Sequence, residues 1–460
     1  MHPHLRACAL QQQRIRRRAK HSDAYTFLTL LTSPGMLDRV ESFLPKHRER
    51  LFPPTETLSM FLSQALSADR SCQRAVNEAA VKRLIGGLPR LSTHTGAYCR
   101  ARARLPGSMV SGLVQHTGQR MSASATAWRW HGHPVRLVDG TTVAMPDTPA
   151  NQAVYPQPRR QESGLGFPLC RWVGLICLGS GAVLDCALGG YRGKGNDEQS
   201  LLRTVLDTLK TGDVLLGDAY FATYFLFCAL RVRGVEAVFE QQGARRRSTD
   251  FRRGQRLGAR DHLIELRKPV LKPDWMTPEQ YAQAPESLTV RELATGGKIL
   301  VTTLLCPTKT PKADLKALYR ERWHVELDFR HIKTTLGMEI LSCKTPAMAQ
   351  KEVWVYLLAY NLIRLMMVQA ATLSACHPRK LSFKHTLQLW GAWDRHAGAD
   401  HEGRLRALFI LIAQQRVGNR PGRIEPRAIK RRPKPFPLLT EARGIAREKI
   451  RKYGHARKIK

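Results

Sequence analysis

Acidic residues are scarce in this chain. Its 37 Asp and Glu stand against 74 Lys and Arg, a formal net charge of +37 over 460 residues. A compact body with that surplus repels itself until something neutralises it, which implies a polyanionic partner. Nucleic acid is the leading candidate and an anionic membrane surface the second. Paired cysteines are missing too. The ten Cys lie far apart, with no C-x-x-C and no His/Cys cluster at zinc-site spacing. That excludes a zinc finger or ribbon and leaves reduced, mostly buried thiols, the pattern of a cytosolic protein. An uninterrupted membrane-length apolar run is also lacking. VWVYLLAYNLIRLMMVQAA comes nearest, but Asn361 and Arg364 fall near its centre, where charge is costly in lipid. The segment reads as a buried helix, and no membrane partner is expected. No internal repeat is present. The N-terminal MHPHLRACALQQQRIRRRAK is Arg-rich and acid-poor; its composition suits a transit peptide, and a DNA-contacting arm equally.

What the chain does contain is ordered by texture. From Leu37 to Ala127 the pattern is helical. PPTETLSMFLSQALS opens with a helix-start signal and continues with apolar residues at three- and four-residue spacing. LSTHTGAYCRARARLP offers Ser92 or Thr93 as an N-cap and then Arg100, Arg102 and Arg104, the basic face of a short DNA-reading helix or of an ordinary solvated one. After Trp128 come strand-like PVRLVDG, TTVAMPD, LCRWVGLICLG and AVLDCALGG, bounded by Gly, Pro and Asp. A helix over Glu198–Leu209, the strand DVLLGD, the helix YFATYFLFCALRVRG and the strand VEAVFEQ follow. A three-strand meander and then helix–strand–helix–strand is the order of a ribonuclease-H-like α/β core. The expected organisation is a basic arm (1–36), a helical DNA-binding domain (37–128), the first part of the core (129–242), a β-rich insertion (243–297), the second part of the core (298–375) and a basic helical C-terminal region (376–460).

Among so few acids, those at strand ends are informative. Asp139 closes the apolar VRLVD and Asp218 closes DVLLGD. The plainer readings are a hairpin aspartate before Gly140 and an N-cap for the segment after Asp218. Two such acids on neighbouring strands favour a site, because two-metal phosphoryl transfer needs carboxylates converging on one point. LYRERWHVELDFRHIKTTLG supplies a third. At ~100° per residue, Tyr319, Arg322, Glu326 and Lys333 fall within an arc of about 60°, while Asp328 points the other way and Trp323, Leu327 and Phe329 are expected to pack on the sheet. One face then carries a carboxylate among three groups able to grip phosphate oxygens. Other signals carry less. GGYRGKGNDE is one residue short of a phosphate loop, Asp147 sits in a turn and Asp185 within a strand, and His131, His133, His324 and His331 form no ligand set.

Here the residues match a family. Tyr319, Arg322, Glu326 and Lys333 have the spacing Y-x2-R-x3-E-x6-K, and the chain resembles the bacterial insertion-sequence DDE transposases that carry this YREK signature. VDGTTVAMPDT around Asp139, KGNDEQSLLRTVLDTLKTGDVLLGDAYF up to Asp218 and LAYNLIR after the signature look like the same family, so the resemblance runs from about Leu37 to Ala371. It implies that Asp139, Asp218 and Glu326 hold two Mg²⁺ or Mn²⁺ ions. It also implies that Tyr319, Arg322 and Lys333 contact DNA, and that element ends are cut through a hairpin before strand transfer. The partners implied are terminal inverted repeats and target double-stranded DNA, paired by a homodimer on the bacterial nucleoid. A tryptophan of the family's insertion stacks on a flipped base, and Trp275 is the only one within the insertion here. Ala219 departs from the arginine often found after the second acid. Two other readings remain open: a catalytically silent DNA-binding derivative of a transposase, and a ribonuclease-H-like nuclease without transfer activity.

Overall fold

The computed structural model describes residues 42, 52–85, 87, 90–393, 402–418 and 439–454. The expected arm over 1–36 lies outside the described residues, as do residues 419–438 and 455–460 of the basic tail. Four helices open the described chain: α1 (Pro54–Leu66), α2 (Cys72–Ile85), α3 (Gly96–Arg104) and α4 (Gly107–Ser124). Proline suits the first turn of α1, where its missing N–H would have no helical partner, and Leu58, Phe61, Leu62 and Ala65 then face the core. Helix α3 starts later than expected. Its N-cap is Thr95, whereas the Ser92 hydroxyl accepts from the His94 N–H. Nor does it carry three outward arginines. Arg100 and Arg104 are exposed, but Arg102 lies about 200° away from each. Only 5% exposed, Arg102 sits 3.9 Å over the Phe61 ring and donates to Cys72 Sγ at 2.8 Å and Cys343 Sγ at 3.0 Å.

The middle of the chain builds one sheet. In order come β1 (Val135–Ala144), α5 (Pro149–Val154), β2 (Leu169–Cys177), β3 (Val183–Gly190), α6 (Glu198–Arg203), β4 (Val214–Gly217), α7 (Tyr224–Val232) and β5 (Glu236–Glu240). Then follow α8 (Gly243–Ser248), β6 (Gln255–Gly258), β7 (Asp261–Arg267), α9 (Pro278–Gln283), β8 (Ser287–Thr295) and β9 (Lys298–Thr302). The strand order is β3-β2-β1-β4-β5-β9-β8-β7-β6. Strands β3, β2 and β1 are antiparallel, and β1, β4 and β5 run parallel, which makes the first five strands a ribonuclease-H-like mixed sheet. The β-rich segment does not stand apart: β9 pairs with β5, and β8, β7 and β6 add to it edge by edge. Strand β4 shows why its sequence is apolar throughout. Val214 and Leu216 enter the core on one face and Leu215 the core on the other, so both faces are covered.

Two segments read as separate strands, VRLVD and TTVA, form the single strand β1. Asp139-Gly140 looked like a hairpin turn, but β2 offers partners along the whole length, Gly174 opposite Asp139 and Val173 opposite Gly140. The helix expected over Glu198–Leu209 is α6 followed by a 3₁₀ turn at Leu206–Thr208.

The last part of the chain is helical. It comprises α10 (Lys312–Arg320), a 3₁₀ turn (Glu321–Trp323), α11 (His324–Arg330), a π turn (His331–Thr335), α12 (Pro346–Leu373), α13 (Phe383–Trp393), α14 (Glu402–Gln414) and α15 (Arg443–Tyr453). By length and composition α12 could cross a membrane, yet it is mostly buried inside the protein. Its two polar interruptions are satisfied internally. Asn361 Nδ2 donates to the Val114 and Val183 carbonyls, its Oδ1 accepts from the Val183 N–H, and Arg364 pairs with Asp328. These bonds lock α12 to α4, β3 and α11.

Candidate active site

Asp139 and Asp218 meet at the rim of the sheet because of register. Val135 pairs with Val214 and Leu137 with Leu216; two further steps along each strand bring Asp139 level with Asp218, just beyond the last paired residues. This is the carboxyl end of parallel strands, where open α/β sheets place their ligands. Asp139 Oδ1 accepts from the Gly140 N–H at 2.8 Å. Asp218 does cap the next turn, accepting from the Tyr220 N–H at 2.9 Å, and it remains half-buried at the rim.

The helical path from Lys312 to Thr335 brings up the other wall. Arg322 spans two acids: it donates to Glu326 Oε1 at 2.9 Å and reaches Asp139 Oδ2 at 3.5 Å. Lys333 donates to the Thr141 hydroxyl at 3.2 Å, two residues beyond Asp139 on β1. Tyr319 is buried and turns its hydroxyl to Glu240 Oε2 at 3.4 Å. Asp328 faces the opposite way and is fully buried, as the periodicity predicts. Phe329 packs on Trp172 of β2, ring centroids 4.6 Å apart. Trp323, expected to pack on the sheet, is 56% exposed instead. The path is not a uniform helix: the 3₁₀ turn places Trp323 outward, and Lys333 sits in the π turn.

The electrostatics follow from crowding acids into a partly dry rim. Burial raises Asp139 to about 6, and the charges of Asp218 and Glu198 add to it against the Gly140 N–H and Arg322. Burial lowers Arg322, but Tyr319, Asp139 and Glu326 outweigh it and hold the guanidinium above its ordinary value. The phenol of Tyr319 is pushed well up, chiefly by burial. Three hard carboxylate oxygens without a sulfur or imidazole donor suit Mg²⁺ or Mn²⁺ in kind, and Arg322 shows that the gap between Asp139 and Glu326 accommodates positive charge. Among the described residues, no three His, Cys, Asp or Glu side chains are already drawn together as a ligand group.

Two further acids stand at this rim. The pairing of Gly217 with Phe239 leaves Glu240 level with Asp218, and Lys298 pairs with it at 2.5 Å. Glu198 opens α6 and lies over Gly140. In the sequence it reads as the ordinary acid of a first helical turn, and only the return of α6 across β2 brings it to Asp139. Trp275 is 45% exposed, with Arg203 of α6 stacked 3.9 Å over its ring and Phe225 edge-on. Arg100 and Arg104 are exposed on α3 and belong to no contact with these acids.

The family model for a transposase DDE domain matches residues 130–362. Transposase InsG for insertion sequence element IS4 of Escherichia coli strain K12 is 25% identical over 416 residues, covering 88% of this chain and 91% of that protein. A solved synaptic complex of piggyBac transposase with hairpin DNA aligns with 87% of this chain and 86% of its own, at a TM-score of 0.43 and 8% identity. With the DDE domain spanning half of the chain, the protein belongs to the DDE transposases, enzymes that cut and join DNA with the help of divalent metal ions.

Proposed function

We propose that this chain is an insertion-sequence transposase of the branch with the YREK signature, and that Asp139, Asp218 and Glu326 are its catalytic carboxylates. The observation that carries the reading is the convergence of the two aspartates at one level of the sheet rim, with Arg322 joining Asp139 to Glu326. The three acids would hold two Mg²⁺ or Mn²⁺ ions. Bound ions of this kind lower the pKa of an attacking water or 3′-hydroxyl and stabilise the departing oxyanion. The protein's own groups hold the DNA. Arg322 and Lys333 offer charged donors to phosphate oxygens beside the acids, and Tyr319 buttresses the wall through Glu240. Arg100 and Arg104 form a basic face for duplex DNA, and Trp275 is a stacking platform half open to solvent. The substrates are terminal inverted repeats and target DNA, joined after a hairpin intermediate by a homodimer on the nucleoid. Residues 37–128 and 376–460 would flank the split core as helical DNA-binding regions, with 243–297 as its insertion.

Incubation with element-end DNA and Mg²⁺ tests the reading. Wild type should nick ends and join them to target DNA, and Asp218→Ala and Glu326→Ala should each lower the rate by about a thousand-fold while still binding ends. Wild type that binds ends without nicking them would sink the enzymatic assignment. Nicking without joining would leave a plain nuclease.

A further inference from the structure

We propose that Arg379 is a positioning residue of the active site and sets the place of Glu326 through Asp328, an inference that rests on the metal-binding role proposed for Glu326. Arg379 stands in a 3₁₀ turn (Pro378–Lys380) beyond α12, outside both parts of the core as the sequence divides it. Its guanidinium nevertheless points inward, with the side chain only 5% exposed. The backbone that carries it is pinned as well, since the His377 ring accepts from the Arg379 N–H at 3.1 Å.

Asp139 and Asp218 are brought level by strand register, whereas Glu326 is carried by α11. That helix has 7 residues, too few to hold a direction on its own, and it runs between a 3₁₀ turn and a π turn. Glu326 and Asp328 lie about 200° apart around it, so the grip on Asp328 decides where Glu326 points. Every nitrogen of the Arg379 guanidinium takes part in a link from Asp328 to the sheet. Nη1 lies 2.9 Å from both Asp328 oxygens, Nε donates to the Leu178 carbonyl at 2.7 Å, and Nη2 donates to the Cys177 carbonyl at 3.2 Å. Cys177 closes β2, and the Leu178 N–H donates to the Val135 carbonyl at 2.9 Å, at the start of the strand that holds Asp139. One side chain thus ties the helix of Glu326 to the strand of Asp139 and its neighbour.

A buried arginine beside an aspartate has an ordinary use, to neutralise it. Arg364 already meets that need: it pairs with Asp328 at 2.5 Å, and the Tyr360 hydroxyl donates to the same oxygen at 3.0 Å. A second guanidinium leaves Asp328, Arg364 and Arg379 with one positive charge in excess, a poor device for stability alone. The two arginines differ in what else they hold. Arg364 reaches Asp328 from α12, and its other hydrogen bonds stay on that helix, to Tyr360 and Met367. Arg379 is the one that also bonds to the sheet. What it supplies is position.

Nicking of element-end DNA by the full-length protein over a range of Mg²⁺ tests this, with the Mg²⁺ concentration at half-maximal rate as the second readout. Arg379→Lys is the variant to use, because it leaves Asp328 between two cations and so spares the fold. A lysine has one nitrogen and cannot serve Asp328 and both carbonyls together. The nicking rate at saturating DNA should fall by about 10- to 100-fold and the Mg²⁺ midpoint should rise by about 10-fold, with end binding in EDTA unchanged. A loss of folded protein alone would lower the rate and leave the midpoint in place. A wild-type midpoint in Arg379→Lys, whatever its rate, would therefore overturn the positioning role. A wild-type rate and midpoint in Glu326→Ala would instead overturn the metal-binding role of Glu326 on which the inference rests.

Discussion

Asp139 carries a pH dependence whose sign can be worked out. Burial, then the charges of Asp218 and Glu198, raise it to about 6 against Arg322 and the Gly140 N–H. In the unfolded chain it titrates at the ordinary carboxylate value, so between that value and about 6 the folded protein binds more protons than the unfolded one. Its contribution to stability is therefore fully present at low pH and is lost as pH rises through about 6. Asp139→Asn removes this titration. Thermal unfolding in EDTA between pH 4 and 8 should show the variant gaining on wild type as pH rises to 6 and holding a constant lead above it. A difference between the two melting curves that does not change with pH would remove Asp139 as the titrating group. The place of Asp139 directly after an apolar run was legible in the sequence. The contact of its neighbour Glu198 with this rim was not, because only the return of α6 over β2 sets Glu198 against Gly140, 58 positions earlier in the chain (198 minus 140).

Among the elements, α11 has the most exacting placement, because one short helix aims Glu326 at the rim and Asp328 into the core. Asp328 accepts from Arg364 at 2.5 Å, from Arg379 at 2.9 Å on both oxygens and from the Tyr360 hydroxyl at 3.0 Å. This clamp docks α11 on α12 and so fixes the direction of Glu326. Removing one partner from a buried ion pair strands the others, so Asp328→Ala should destabilise the fold by about 3–5 kcal/mol. Chemical denaturation measures it, with Glu326→Ala as the half-exposed comparison that should change stability by less than about 1 kcal/mol. A loss of under about 1 kcal/mol in Asp328→Ala would show that α11 is held by apolar packing alone. Helical periodicity put Glu326 and Asp328 on opposite sides, and the structure agrees. It also placed Trp323 on the sheet, where the structure does not. A uniform angle per residue cannot anticipate the 3₁₀ and π turns, which arise where a helix is anchored by residues distant in sequence. The same limit hid the continuity of β1, since an Asp-Gly pair signals a turn only where no partner strand runs past it.

At the scale of the whole molecule, charge and sheet topology act together. The three-strand meander and the strand–helix order after it made the five-stranded core legible. The pairing of β9 with β5 was not, because nothing local in either strand names its neighbour. That pairing joins the insertion to the core as one nine-stranded sheet, so Trp275 and the arginines of α8 have a continuous scaffold with the acidic rim. A chain with a net charge of +37 should bind duplex DNA largely by releasing counterions. If each complex neutralises about 6–10 phosphates, the slope of log K against log salt for an element-end duplex should lie between about −5 and −9. Lys333→Ala, next to Thr141 at the rim, should make that slope shallower by about one. Trp275→Ala should lower affinity without changing the slope, because stacking releases no counterions. Fluorescence anisotropy over 50–300 mM salt (roughly the range in which such slopes are linear) measures all three. An unchanged slope in Lys333→Ala would place its ammonium away from the DNA backbone and leave Arg322 as the cation that reads phosphate beside Asp139 and Glu326.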